Sequence, residues 1–153
     1  RIANSIVKQR QSKKIETTFE LVEIIKSCIP APARRKGGNP AKRTFQALRI
    51  AVNNELEILE KAIPQALNSL AIGGRVVVLS YQSLEDRIVK NIFKANTATT
   101  DLLPGLPVPL KSKEKDFILL NKRAEIATDK EISLNPRATS VKLRAIERIG
   151  VAA

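Results

Sequence analysis

The hydrophobic residues in the first half of the chain recur at steps of three and four, the spacing of one face of an α-helix. The first series predicts a helix over about residues 2–10. Thr17 followed by Glu20 is a capping-box pattern, and it predicts a second helix that ends near Cys28. The predicted apolar face of this helix carries Phe19, Val22, Ile25 and Ile29.

A third helical pattern follows a proline break and a basic, glycine-containing loop. Asn39 is a suitable N-cap and Pro40 a suitable first helical residue. The spacing of the next apolar residues predicts one long amphipathic helix that Gly73-Gly74 ends. Its apolar positions are Phe45, Leu48, Val52, Leu56, Leu59 and Ile63.

After residue 74 the pattern changes to short apolar runs. Residues 75–80 are rich in β-branched side chains, which is typical of a strand buried on both faces of a parallel sheet. Ser83 can cap a following helix. Residues 116–121 predict a second buried strand, and residues 142–149 alternate charged and apolar side chains like a strand with one wet face. The stretch Asn96–Lys115 is predicted to be an irregular loop, and the class is α/β.

These patterns divide the chain into a helical, basic region over residues 1–62 and an α/β region over residues 63–153. Three strands are few for a doubly wound sheet, and the chain opens at Arg1 without a methionine. We therefore expect part of the domain to lie upstream. A sheet shortened in this way would expose an unpaired edge and an apolar face, which favours either a homodimer or aggregation.

The composition limits which partners and which kinds of catalytic site the chain can have. The 153 residues hold 27 Lys and Arg against 15 Asp and Glu, a net charge of +12 that favours a nucleic-acid partner. The absence of histidine excludes a histidine base and histidine metal ligands, and the single Cys28 excludes an internal disulfide. A buried thiol, a cytoplasmic setting and chemistry without a metal are expected. No apolar stretch approaches the roughly 20 residues of a membrane span.

The first candidate site is a polar side of the third helix, where Lys42, Gln46, Arg49 and Asn53 are spaced by four, three and four residues. A basic loop at a helix N-terminus suits phosphate oxygens, so RNA contact is one interpretation. A solvated helix face is the other, and composition alone leaves both open. Neighbouring candidates are Arg34, Arg35, Lys36 and Arg43.

The second candidate site follows the first predicted strand. In open α/β sheets, ligands bind at the carboxyl ends of the strands. Ser83 with Asp86 could be no more than a helix cap, but a cap does not account for the other polar residues. Gly73-Gly74 is by default a helix C-cap rather than a phosphate cradle. The candidate cleft residues are Ser80, Tyr81, Gln82, Ser83, Glu85, Asp86 and Arg87.

Three groups of residues resemble in order and spacing the bacterial methyltransferases that modify a cytosine N4 of small-subunit (16S) ribosomal RNA. They are residues 36–50, residues 73–75 with 80–90, and residues 135–138 with 142–144 and 147–148. The resemblance implies a class I (Rossmann-like), S-adenosylmethionine-dependent fold with an inserted helical domain. Residues 1–62 would be the C-terminal part of that insertion and residues 63–153 the C-terminal part of the methyltransferase domain. The cofactor-binding motifs would then lie before Arg1, with none in this chain.

The same resemblance suggests which residues contact RNA: Arg34, Arg35, Lys36, Asn39, Lys42, Arg43, Gln46 and Arg49. The chain departs from the family in two places. The family often has His where Asn39 stands, and Phe-His where Tyr81-Gln82 stands. Asn and Gln keep hydrogen-bonding capacity but do not titrate near neutral pH, so these positions would orient RNA or the target base.

Two alternatives remain open. The chain could be a non-catalytic basic RNA-binding module, either a degraded methyltransferase or a stand-alone fragment. It could also be a purely structural piece that functions only with a missing half.

Overall fold

A computed structural model describes residues 1–32, 38–97 and 116–150. The chain divides into two compact units, Arg1–Asn54 and Glu55–Ala153. The boundary predicted after residue 62 lies within the helix Glu55–Asn68. Most of the loop predicted at Asn96–Lys115 lies outside the described residues.

The first unit contains helices α1 (Ile2–Ser12), α2 (Thr18–Ser27) and α3 (Lys42–Asn53). The predicted capping box at the start of α2 is confirmed. Thr17 Oγ1 accepts a hydrogen bond from the Glu20 backbone N–H at 3.2 Å, and Glu20 Oε2 accepts one from the Thr17 N–H at 3.0 Å. Lys13 Nζ also donates to Glu20 at 2.9 Å, and this bond is the main reason that the pKa of Glu20 falls to about 2.

Helix α1 packs on α2, and Ile25 of α2 is fully buried. Cys28 is buried as predicted, with its Sγ 3.1 Å from Ser5 Oγ. The prediction for Phe19 is wrong, because this ring is 81% exposed. Each step of three residues turns the helix about 60° short of a full circle, so Phe19 lies about 120° around α2 from Ile25.

The third helix starts later and ends sooner than predicted. Asn39 Oδ1 accepts from the Ala41 N–H at 2.9 Å, but this bond closes a turn, and α3 begins at Lys42 with Ala41 as its N-cap. The predicted long helix is also interrupted. Asn54 adopts the left-handed conformation (φ 51°), which Asn tolerates better than most residues, and a new helix starts at Glu55.

The second unit is a sheet with helices. Its elements are α4 (Glu55–Asn68), β1 (Arg75–Ser80), α5 (Ser83–Asn96), β2 (Phe117–Leu119), β3 (Glu125–Ile126), α6 (Asp129–Leu134), a 3₁₀ helix (Pro136–Ser140) and β4 (Lys142–Arg148). The strand order is β1-β4-β2, and β3 also pairs with β4. The chain has the predicted mixture of helices and sheet. In the described residues the named strands pair antiparallel, and the isolated bridge between Thr97 and Phe117 is parallel.

The core of this unit lies between the sheet and helices α4 and α5. It consists of Ile63, Leu67, Val89, Phe93, Phe117 and Ile146. Only one side of β1 faces it: Val76 and Val78 pack inward, whereas Val77 and Leu79 are 57% and 55% exposed. The prediction that β1 is buried on both faces is therefore wrong for the described residues, because a run of apolar residues fits either arrangement.

Strand β4 was predicted to have a wet face, and this is also wrong. None of its seven residues is exposed, since the strand runs between β1 and β2. Its charged side chains have partners within the protein, although the Lys142 side chain remains 43% exposed. Arg148 Nη1 donates to the Leu70 carbonyl at 2.7 Å, and Arg75 Nε lies 2.6 Å from Glu147 Oε2.

The Gly73-Gly74 pair connects α4 to β1 under tight constraint. Gly73 has φ 79° and donates its N–H to the Arg148 carbonyl at 2.7 Å. A Cβ on Gly74 would lie 2.8 Å from the Ala71 carbonyl oxygen, which is backbone and cannot rotate away. The pair therefore serves the helix-to-strand turn.

We expect Gly74→Ala to lower the free energy of unfolding by about 1–3 kcal/mol, because the added methyl group forces the turn to shift. Urea denaturation measures the effect. Gly38→Ala is the matched control, since nothing lies within 4 Å of its Cβ position, and its change should stay within about 0.5 kcal/mol. Equal effects of the two substitutions would contradict the constraint at Gly74.

Among the described residues, no helix combines the length and apolar character needed to cross a membrane.

Candidate functional site

The turn from β1 into α5 holds the second group of candidate residues. Ser80 ends β1 with its side chain buried, and Tyr81 is exposed. Glu85 Oε2 accepts hydrogen bonds from the backbone N–H groups of Tyr81 (3.1 Å) and Gln82 (3.3 Å), and Gln82 Nε2 donates to Glu85 Oε1 at 2.9 Å. The cap of α5 is therefore Gln82 with Glu85, and the prediction of Ser83 as the cap is wrong.

Asp86 is buried and ties α5 to β4. Its Oδ1 accepts from Arg144 Nε at 2.7 Å, and its Oδ2 accepts from Lys142 Nζ at 3.2 Å and from Arg144 Nη2 at 3.4 Å. In the β1–β4 ladder, Lys142 pairs with Ser80 and Arg144 with Val78. Two residues apart on a strand, both cations point to the side of the sheet that α5 covers.

This contact keeps the Asp86 carboxylate charged. Hydrogen bonding from Arg144 is the main cause that lowers its pKa; burial acts in the opposite direction, and Lys142 adds to the lowering. Asp86 is therefore an anchor between helix and strand rather than part of a cap. It is also unsuited to exchange a proton near neutral pH.

The two carboxylates of this turn are thus occupied within the protein. Tyr81, Ser83 and Arg87 are exposed at the same end of the sheet, where they can reach a ligand. Their phenol, hydroxyl and guanidinium groups can donate hydrogen bonds. The arrangement is suited to positioning a ligand. Within the described ranges, His, Cys, Asp and Glu side chains do not form a group of three or more that could hold a metal ion.

The first candidate group lies in the other unit, on α3. This helix carries three cations, Lys42, Arg43 and Arg49, and no carboxylate. All three are exposed, whereas Gln46 is half-buried. Gln46 and Arg49 each make a further polar or electrostatic interaction within the protein. Asn39 is exposed just before the helix. The predicted candidates Arg34, Arg35 and Lys36 lie outside the described residues.

Sequence reasoning missed how Lys142 and Arg144 are used. Their spacing of two correctly placed them on one side of a strand, but their charge suggested water as the partner. Asp86, the acid that pairs with them, lies 56 residues before Lys142 and 58 residues before Arg144 in the sequence. No local pattern reports a pairing across that distance.

The chain is similar to known proteins over nearly its whole length. The profile of the MraW methylase family matches residues 1–149. A protein of Thermobifida fusca, "Ribosomal RNA small subunit methyltransferase H", is 54% identical over 148 residues, covering 97% of this chain and 44% of the relative. Proteins of the same name from Mycolicibacterium smegmatis and Limosilactobacillus fermentum are 55% and 53% identical, covering 98% and 97% of this chain and 40% and 47% of the relatives.

The chain thus spans less than half the length of these curated relatives. The family profile covers both the helical unit and the described part of the sheet unit. The chain belongs to the MraW methylase family.

Proposed function

We propose that this chain is part of a cytoplasmic, S-adenosylmethionine-dependent methyltransferase that methylates N4 of a cytidine in 16S ribosomal RNA. The observation that carries the proposal is the identity of 53–55% to relatives named for methylation of small-subunit ribosomal RNA, across 97–98% of the chain. The cytosine N4 target comes from the motif resemblance, whose segments lie in both units.

In this proposal the helical unit contacts the RNA. Helix α3 presents exposed cations and no carboxylate, which suits a phosphate backbone. The chain's net charge of +12 adds a longer-range attraction for a polyanion. The proposed RNA-contacting residues are Asn39, Lys42, Arg43, Gln46 and Arg49, together with Arg34, Arg35 and Lys36 outside the described part.

The sheet unit would be the C-terminal part of a class I methyltransferase domain. Its turn from β1 into α5 would lie beside the target base, with Tyr81, Ser83 and Arg87 available to orient that base. Glu85 and Asp86 would hold the turn in shape. An amine that attacks a methyl group depends mainly on being oriented in a polar site from which water is excluded, and less on a protein base. A turn whose two carboxylates are both bound within the protein fits this requirement.

Gly73-Gly74, the one adjacent glycine pair in the described sheet unit, is fixed by backbone hydrogen bonds and crowded against the Ala71 carbonyl, so it is not a cradle for a ligand. We infer that residues outside this chain hold the cofactor. Self-association is a further part of the proposal, supported by the exposed apolar side of the sheet at Val77 and Leu79.

A chimera tests the function. In the chimera, this chain takes the place of the matching 148 residues of the Thermobifida fusca relative, to which it is 54% identical. We expect the purified chimera to produce N4-methylcytidine in small-subunit RNA when supplied with S-adenosylmethionine, as measured by mass spectrometry of nucleoside digests. The 153-residue chain alone should neither methylate RNA nor release heat when titrated with the cofactor.

Two results would contradict this proposal. Cofactor binding by the chain alone would refute the inference that its pocket lies elsewhere. A folded chimera that binds RNA but transfers no methyl group would favour the alternative of a non-catalytic RNA-binding module.

A further inference from the structure

The helical unit contains an open cleft of about 550 Å³ lined by α1, the α1–α2 connection and α2. Its apolar surface comes from Ile15, Phe19 and Ile24, and its polar rim includes Gln9, Lys13 and Lys14. The volume lies within the range of about 300–1,000 Å³ that is typical of small-ligand sites. The candidate residues on α3 and at the start of α5 are not part of it.

Phe19 is the unusual feature of this cleft. The chain has only four Phe and one Tyr, yet this ring is 81% exposed at the start of a helix whose cap is fully formed. The ring is therefore not needed to fold α2, and it is not part of the packing around Ile25. An exposed aromatic face is a platform on which a planar group can stack.

The helical segment around the cleft carries a net positive charge, which favours an anionic ligand, although two Lys and two Glu line the cleft itself. Both carboxylates that line it are paired: Glu20 with Lys13 at 2.9 Å, and Glu23 with Lys26 at 2.7 Å. Lys14 Nζ lies 3.8 Å from Glu16 Oε1, with the Lys14 side chain 85% exposed, so this ammonium group remains largely in solvent. Residues 1–32 together carry six Lys or Arg and three Glu.

We propose that this cleft binds an unstacked base of single-stranded RNA, with the base stacked on Phe19 and an adjacent phosphate on Lys14. The Gln9 carboxamide at the rim offers a donor and an acceptor to the edge of the base. The combination of an aromatic platform with neighbouring cations is the one by which proteins hold single strands, and it tolerates any sequence because every base has a π-face. This inference rests on the proposed role in RNA modification and adds a contact away from α3.

The test uses the 153-residue chain and a single-stranded RNA labelled with 2-aminopurine, whose fluorescence falls when the base stacks on an aromatic ring. We expect Phe19→Ala to weaken binding about tenfold and to abolish the quenching, because one base–aromatic stack is lost. Phe19→Tyr should retain both. Thermal unfolding of Phe19→Ala should match that of the wild type, since the ring is exposed.

Leu134→Ala is the matched control, because Leu134 is an equally uncovered apolar side chain at 79% exposure in the other unit. It should leave RNA binding unchanged. Wild-type affinity in Phe19→Ala, an equal loss in Leu134→Ala, or no binding by the wild-type chain would each overturn the cleft assignment. The chimera tests the proposed function separately. A folded chimera that does not methylate RNA would contradict that function without bearing on the cleft.

Discussion

Asp86→Asn should lower the free energy of unfolding by about 3 kcal/mol, because it leaves the cationic Arg144, whose side chain is only 14% exposed, without its counter-charge. The substitution also weakens the contact with Lys142, which is more exposed and contributes less. Urea denaturation of the chain measures the change. Arg75→Gln is the control, since the Arg75–Glu147 pair is largely exposed at its cationic end and should contribute less than about 1 kcal/mol.

The difference in unfolding free energy between wild type and Asp86→Asn should shrink as the pH falls. The folded-state pKa of Asp86 lies below its ordinary value of 3.8, so the contact stabilises the fold fully above that value. The stabilisation disappears as the pH falls through the folded pKa, where wild type and Asp86→Asn should converge. Arg144→Gln should cost a similar amount, and the double variant should lose less than the sum. Strict additivity would contradict a direct Asp86–Arg144 contact.

Replacing Lys42 and Arg43 together by Ala should raise the KM of the chimera for small-subunit RNA by about tenfold or more, with kcat nearly unchanged. The two cations are proposed to contact phosphates, and phosphate contacts contribute equally to substrate and transition state. Steady-state methylation at several RNA concentrations separates the two constants. The loss should be larger at low salt, where counterion release contributes most.

Lys61→Ala is the matched control for this pair. Lys61 is an exposed cation on α4, already bound to Glu57 at 2.6 Å, and its removal should leave the KM unchanged. An equal rise of KM in Lys61→Ala would mean that overall charge, and not the α3 surface, attracts the RNA. A fall in kcat with an unchanged KM would place Lys42 and Arg43 at the reaction rather than at the RNA backbone.

The local features of the fold were predictable from the sequence. The capping box of Thr17 and Glu20, the buried Cys28 and the helices themselves follow from side chains three or four residues apart, which touch in any helix. The interruption at Asn54 was not predictable, because apolar spacing continues across it unchanged and one left-handed residue is enough to start a new helix.

The non-local features were not predictable. The central position of β4 between β1 and β2 depends on pairings across the sequence, and a strand with alternating charges looks the same whether water or buried ions receive those charges. The same limit applies to the site. Sequence placed Glu85 and Asp86 in one polar turn, but only the fold shows that Glu85 caps α5 while Asp86 binds β4.

We propose that this chain contributes contacts to the RNA and that the cofactor pocket lies in other residues. Equilibrium binding of the 153-residue chain to small-subunit ribosomal RNA, followed by fluorescence anisotropy from about 50 to 200 mM salt, tests it most directly. We predict binding whose log–log salt slope is about −0.7 per single-strand phosphate contact, and which becomes shallower in the Lys42→Ala, Arg43→Ala double variant. Binding that is absent, or that does not change with salt, would contradict the claim.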